Sequence, residues 1–421
     1  MRLRTPSICA TGLALLALVL GLLLALVVPA GQPYDEPAHH ANVVYYAEHH
    51  RLPVLGEPEV HYEGQMGPGY YAPAAVMLVA TGTTDDPRAG LLVLRLAGLG
   101  LIPLLAWLTY RLARVLGGRA DRAAIATGLV ILNPSMLAIA ASVQNDYLCF
   151  TLAGAAAVVA LRALRPGAGI SWSLGTGLLI GLAVLVKVFA GGLLIGFVAA
   201  ALLDRQREWR SRWVRALTAV AGMAVVSGWW FVRNLRLYGD LTGAAGVQQT
   251  GVSFPPLPFD GVASVARWGR SLVSYGFAPT EYYRNAFDAP VVVKAVAVLM
   301  TGLLVVLVSG HLAARRRSVA ALVREPRVVF ALVSVAVVVV VYAVAAWTMQ
   351  SIAPRLMFVA APLALALLAR AARESRAAHA VGVLLVFVFV LIDVWLVVQL
   401  AGTTVDPRLF PWGATAVAGS G

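Results

Sequence analysis

The segment Leu185-Val186-Lys187-Val188-Phe189-Ala190-Gly191-Gly192 interrupts an otherwise apolar stretch between residues 173 and 203. Its reading decides the fold, because one helix or two through this stretch reverses the side on which everything downstream lies. The halves, 173–187 and 189–203, are each shorter than the ~20 residues that cross a bilayer. Two short helices meeting near Ala190-Gly191-Gly192 and one long tilted helix both fit the local residues. Further apolar runs lie at 8–30, 89–111, 122–142, 146–163, 216–232, 291–312, 328–347, 356–370 and 379–401. Counting the interrupted stretch as two gives eleven spans. A chain that is 60% hydrophobic and only 13% charged is suited to lipid rather than water as its main solvent. The expected fold class is an all-α polytopic membrane protein, with residues 1–421 forming a single transmembrane domain.

Arginine placement chooses between the two readings. Only Lys187 and Lys294 among the 33 basic residues are lysine, a bias typical of GC-rich genomes and pointing to a bacterial cytoplasmic membrane. The run from Ile8 to Ala30 is too long for a signal-peptide core and reads as an uncleaved first helix, with the N-terminus cytoplasmic. On that topology 21 basic residues fall in cytoplasmic segments, including Arg205–Arg215 and Arg315-Arg316-Arg317. That is the positive-inside pattern. A single helix across 173–203 would put the Arg315 cluster outside, so two helices are expected. The net charge of +13 is then topological, and nucleic acid drops out as a partner. Cys9 and Cys149 sit in apolar runs and read as small hydrophobes.

Two long extracytoplasmic loops result, 31–88 and 234–290. The first opens with Pro33-Tyr34-Asp35-Glu36-Pro37-Ala38-His39-His40 and also holds His49, His50 and His61. Proline suits the first turn of a helix and an acid suits the cap before it, so a short helix from Pro37 towards His50 is expected. Solvated histidines and a capped surface helix are the plain reading. A divalent ion ligated by His39/His40 and His49/His50 with Asp35 or Glu36 is the alternative, although His-Glu-x-x-His is absent. Acids this close to hydrocarbon, where charge costs up to ~3 kcal/mol, should face water or a cavity.

Arg95, Lys187, Arg233, Arg236 and Arg355 lie at the outer ends of spans, where the positive-inside rule does not call for them. Any one could snorkel; five on one rim fit a bound anion such as phosphate. Asp35 or Glu36 could then deprotonate an acceptor while the cations hold a phosphate leaving group. Gln144-Asn145-Asp146 brings another carboxylate to this side, with Asp146 as a helix cap equally open. Gly67-Pro68-Gly69 should break any helix, placing Tyr70 and Tyr71 in the interfacial belt before a short interfacial or re-entrant helix over 70–82. An amphipathic helix is expected between Gly261 and Phe277, and Asp393 should pair within the bundle.

Taken in order, the acidic Pro-x-Asp-Glu-Pro-x-His motif, Tyr70-Tyr71, Asn145-Asp146 and Lys187 resemble the GT-C superfamily. Trp229-Trp230-Phe231-Val232-Arg233-Asn234, Tyr238-Gly239-Asp240 and Pro354-Arg355 continue the likeness. These are membrane glycosyltransferases that use polyprenyl-phosphate sugars, such as protein mannosyltransferases and aminoarabinose transferases. The resemblance implies a hexosyl- or pentosyltransferase taking sugar from a polyprenyl-phosphate donor to an extracytoplasmic acceptor. It implies an acid of the first outer loop, Asp35 or Glu36, as catalytic base. Lys187, Arg233, Arg236, Arg355 and Arg95 would bind donor phosphate, and His39, His40, Tyr70, Tyr71, Asn145 and Asp146 would lie near the substrate. Two departures are the absence of a soluble C-terminal domain after the last span and the sequence at Gly67-Pro68-Gly69-Tyr70, looser than the His-x-Pro-Pro-like form. No cofactor is fixed, a divalent metal being the one candidate. The rival reading is a membrane transporter or lipid flippase, which would bind near the midplane between repeated halves.

Overall fold

In the computed structural model of the protein, the described residues are 8–31, 35–248, 260–264, 266, 269, 291–314, 324–348 and 354–401. They are helical, with no strand among them. Helix α1 (Ile8–Val27) is followed by two short helices, α2 (Glu36–His49) and α3 (Pro68–Thr81). Then come α4 (Pro87–Gly100), α5 (Ile102–Val115), α6 (Ala120–Ile131), α7 (Pro134–Ala140) and α8 (Asp146–Ala163). Next are α9 (Ser171–Val186), α10 (Gly192–Leu203), α11 (Trp209–Tyr238) and α12 (Ala244–Gln248). The last four are α13 (Val291–Ala314), α14 (Pro326–Thr348), α15 (Ala361–Ala371) and α16 (Arg376–Ala401).

Among the described residues, seven helical segments are long and apolar enough to cross a membrane: Ile8–Val27, Pro87–Val115, Asp146–Ala163, Trp209–Tyr238, Pro326–Ala346, Pro354–Ala371 and Arg376–Ala401. The pair α6–α7, bent by 61°, makes an eighth if it is one span. The other three of the eleven expected spans are occupied by shorter apolar helices, Ser171–Val186, Val188–Leu203 and Val298–His311. The helix lengths among the described residues thus do not confirm a count of eleven. The chain is nonetheless an all-α, multi-pass membrane protein.

The interrupted stretch is two helices. Helix α9 stops at Val186, Lys187 is extended (φ −157°, ψ 125°), and a 3₁₀ turn over Val188–Gly191 leads into α10. Small residues let α9 lie close against α11: a Cβ on Gly177 would come within 2.0 Å of the Ala219 carbonyl oxygen. Such contacts replace the hydrophobic driving force that lipid does not provide. Helix α8 packs on the other side of α9, and α5 packs on α8.

Helices α2 and α3 pair with each other over one end of this bundle. Pro37 occupies the first turn of α2, where its missing N–H is harmless. The same reason lets α3 begin at Pro68 rather than after the glycine–proline cluster, as the sequence had suggested. Gly67 is needed for a close approach: a Cβ there would lie 2.2 Å from the Leu185 carbonyl oxygen. This seats the start of α3 on the end of α9, beside Lys187. Tyr71 is accordingly buried, not in an interfacial belt. The amphipathic helix expected between Gly261 and Phe277, and the Arg315 cluster, lie largely outside the described residues. Asp393 is buried in α16, and neither carboxylate oxygen has a hydrogen-bond partner among the described residues, so the expected pairing is not found.

Candidate active site

Asp35 and Glu36 are adjacent at the start of α2 but face different partners. Glu36 is fully buried, and Arg95 of α4 donates to it from Nε (2.9 Å) and Nη2 (2.6 Å). The backbone N–H groups of Gly31 and Val143 donate to it as well, each at 2.9 Å. Arg95 also donates to the carbonyls of Ala25, Val28 and Pro29 at the end of α1. The ion pair thus ties α1, α2, α4 and the segment before α8 together. Both members had been grouped with the chemistry from sequence, Glu36 as a base and Arg95 as a phosphate ligand. Here they neutralise each other.

Asp35 instead accepts a hydrogen bond from the Tyr62 hydroxyl (3.1 Å) and pairs with Arg355. Arg355 stands at the head of a 3₁₀ turn, Pro354–Ala360, and donates from Nη1 to Gln144 Oε1 (2.9 Å). Its Nε lies 3.7 Å from Asp146 Oδ2. Asp146 begins α8 and accepts from Lys187 Nζ at 2.7 Å; Lys187 also reaches Asn145 Oδ1 at 3.3 Å. Asn145 donates to the Val186 carbonyl (3.3 Å), which holds the α9 break against α8. The result is an alternating row, Asp35–Arg355–Asp146–Lys187, buried at the end of the bundle. Residues more than 300 positions apart meet here because α8, α9 and the Pro354 turn converge under α2.

One wall of this row comes from α2, α3 and a 3₁₀ turn over Tyr62–Gln65. His39 Nδ1 is hydrogen-bonded to the Tyr71 hydroxyl (2.8 Å), and its Nε2 lies 3.9 Å from Glu63 Oε1. Burial, helped by the Lys187 charge, pushes the His39 pKa down to about 3, so the ring is neutral. Burial raises Glu63 to about 7, with Lys187 opposing and Asp146 adding to the rise. Ligand atoms of Asp35, His39 and Glu63 all lie within 4.8 Å of one another. A neutral imidazole, two carboxyl groups and a Glu63 Oε2 without a hydrogen bond suit a divalent cation. The other proposed ligand sets do not converge: His49 pairs with Glu59 at 3.0 Å, and His50 is exposed at the left-handed end of α2.

His40 is buried behind Glu36, contrary to a solvated histidine, and Tyr70 packs edge-on against Tyr71. Arg233 and Arg236 do not join the row. Arg233 donates to the Pro53 carbonyl and lies 4.7 Å over the Trp230 ring; Arg236 is exposed. Asp240 accepts from the N–H groups of Thr242, Gly243, Ala244 and Ala245, forming the start of α12. Glu63, Tyr62 and Gln144 are members of the site that sequence reasoning did not single out as such. The signal available was the Tyr62-Glu63-Gly64-Gln65 turn directly before Gly67, whose lack of a side chain allows the approach to α9.

A family model described as dolichyl-phosphate-mannose-protein mannosyltransferase matches residues 73–231. The chain is structurally similar to ArnT from Cupriavidus metallidurans bound to undecaprenyl phosphate. That match has a TM-score of 0.56 at 16% identity and covers 86% of this chain and 60% of ArnT. It is also similar to the oligosaccharyltransferase of Archaeoglobus fulgidus in complex with Zn and sulfate. There the TM-score is 0.56 at 13% identity, over 92% of this chain and 53% of that one. The chain thus spans between half and two thirds of the length of these proteins. No curated protein sequence matches it. At such identities the likeness shows the fold alone, which this chain shares with ArnT and the oligosaccharyltransferase.

Proposed function

We propose that this chain, built on the GT-C fold, is a glycosyltransferase that moves a hexosyl or pentosyl residue from a polyprenyl-phosphate donor to an acceptor. The transfer takes place on the membrane face that carries Asp35. The arginine distribution makes that face extracytoplasmic, in a bacterial cytoplasmic membrane, with loops 31–88 and 234–290 of a single transmembrane domain on the same side. The observation that carries the reading is the row Asp35–Arg355–Asp146–Lys187, which sets a potential base beside two cations in a buried site. The family match to dolichyl-phosphate-mannose-dependent enzymes and the likeness to an undecaprenyl-phosphate-bound protein support the donor class.

In this mechanism the donor phosphate competes with Asp35 for Arg355 and with Asp146 for Lys187. Drawing Arg355 towards the phosphate unmasks Asp35 next to the anomeric carbon. The acceptor's nucleophilic atom passes its proton to the Asp35 carboxylate as its bond to the anomeric carbon forms. The anomeric C–O bond to phosphate breaks on the opposite face, inverting the centre, and the electron pair leaves on polyprenyl phosphate. Arg355 and Lys187 stabilise the charge that develops there. A divalent ion held by Asp35, His39 and Glu63 would supply Lewis acidity beside the same carboxylate. Glu36, Arg95, Arg233 and Arg236 have structural or peripheral roles in this scheme.

Turnover of labelled polyprenyl-phosphate sugars by the purified protein tests it directly. Asp35→Asn should lower turnover by about 10²-fold or more, the usual range for a lost general base, with expression intact and with a lowered unfolding midpoint because the Asp35–Arg355 pair is buried. Near-normal turnover in that variant removes Asp35 as the base. Failure of the native protein to consume any donor across a broad donor and acceptor panel would favour the transporter reading.

A further inference from the structure

A second set of charged groups lies at the other end of the bundle. Arg111 is sixteen residues beyond Arg95 along the α4–α5 span, and Arg162 is sixteen beyond Asp146 along α8. At 1.5 Å per residue both are about 24 Å from the site described above. The helices α5 and α8 that carry them pack together, and the two charges are close enough to act on one another. Arg111 is only 4% exposed, and its guanidinium lies 5.6 Å over the Trp107 ring. Its side chain makes no hydrogen bond or ion pair among the described residues, and its Nε is wholly buried. The Arg162 guanidinium lies 4.8 Å over Trp172 and is equally without a hydrogen bond or carboxylate.

Three acids described at this end of the bundle are paired with other arginines. Arg207 holds Asp204 (3.0 Å), Arg122 holds Asp121 (2.9 Å), and Arg370 holds Glu325 (2.8 Å) together with Arg327. Helix ends at this level are capped by other arginines: Arg215 donates to the Ala163 carbonyl (3.2 Å) and Arg370 to that of Leu116 (2.7 Å). Arg165 adds to the field; burial and the charges of Arg327, Arg162 and Arg111 hold its pKa below the usual arginine range. The positive-inside rule accounts for arginines on one side of a membrane. It does not account for an arginine only 4% exposed whose Nε is sealed off without an acceptor among the described residues, which is costly because arginine stays charged.

We propose that Arg111 and Arg162, walled by Trp107 and Trp172, bind the phosphate of an anionic phospholipid head group at the end of the bundle opposite Asp35. A lipid source fits better than a soluble ion, since Arg162 is in the last turn of the apolar span Asp146–Ala163 and Arg111 is about one turn from the end of Pro87–Val115, with indole rings beside them. Tryptophan favours the lipid–water boundary, and basic pockets between spans select anionic head groups there.

Native mass spectrometry and thermal unfolding of the full chain in mild detergent test this, with phosphatidylglycerol, phosphatidylcholine or inorganic phosphate added. Phosphatidylglycerol should be retained and should raise the unfolding midpoint, while phosphatidylcholine and inorganic phosphate do neither. Arg111→Gln and Arg162→Gln should each weaken phosphatidylglycerol binding roughly fivefold, the effect of one basic charge near an anionic lipid. Arg210→Gln, at an exposed position on the same end, should leave binding unchanged. If Arg111→Gln does not fold, the half-buried Arg162 carries the test alone. The proposal is overturned by an equal shift with inorganic phosphate, by unchanged lipid binding in Arg162→Gln, or by an equal loss in Arg210→Gln.

Discussion

Two neighbouring carboxylates take opposite parts because Arg95 reaches one of them first. Glu36 accepts two arginine and two backbone hydrogen bonds, so its charge is fixed in place. Glu36→Gln should therefore act on stability: breaking a buried pair costs about 3–5 kcal/mol, visible as a lowered unfolding midpoint. Asp35→Asn also opens a buried pair, but Arg355 keeps Gln144 and Asp146 beside it, so the larger effect there should be on turnover. His40 offers a pH test. Burial pushes its folded pKa down to about 4 against the opposite pull of Glu36, while the unfolded value is about 6.5. A lowered folded pKa means that the unfolded state takes up the proton first as pH falls. Its contribution is thus complete above pH 6.5 and lost as pH drops towards 4. His40→Gln should flatten the slope of unfolding midpoint against pH across that window. An unchanged slope would assign the acid sensitivity to other groups.

Among the elements, the decisive contact is the seating of α3 on the end of α9. Gly67 allows it, and the same approach sets Lys187 and Asn145 beside the α2 wall. Gly67→Ala would drive a methyl group into the Leu185 carbonyl. The expected cost is about 1–3 kcal/mol of stability, as for overpacking, with reduced turnover because Lys187 shifts. Gly100→Ala, where an added Cβ meets nothing within 4 Å, should be neutral or mildly stabilising. Equal melting of the two variants would show that the seating is loose. This contact was only partly legible beforehand. The glycines and prolines of 67–69 marked a break, and the structure uses them as the start of a helix. Their small size serves the neighbouring backbone, which no local pattern records.

For the whole molecule, the two ends of the bundle differ in charge logic. One end sets acids and bases in alternating pairs; the other carries arginines, two of which have no counter-charge among the described residues. Accessibility labelling checks the orientation this implies. A cysteine at exposed Glu59 should react with a membrane-impermeant thiol reagent in intact cells, and one at exposed Arg210 should react only after lysis. Reaction at both positions in intact cells would overturn the assigned sidedness.

The sequence by itself determined the helical membrane class and an interruption of the 173–203 stretch, expected near Ala190-Gly191-Gly192 and found at Lys187 and the turn after it. Each is set by local composition: apolar run length, glycine placement, and the bias of arginine between loops. It also singled out Asp35, Asp146, Lys187 and Arg355 among the candidate site residues. Only the tertiary structure decided which charges share a site, separating Asp35 from Glu36 and Lys187 from Arg233. It also brought in Glu63, Tyr62 and Gln144. The physical reason is that an ion pair depends on distances of a few ångströms between residues far apart in the chain. Helix packing sets those distances, and no property of a single segment contains them.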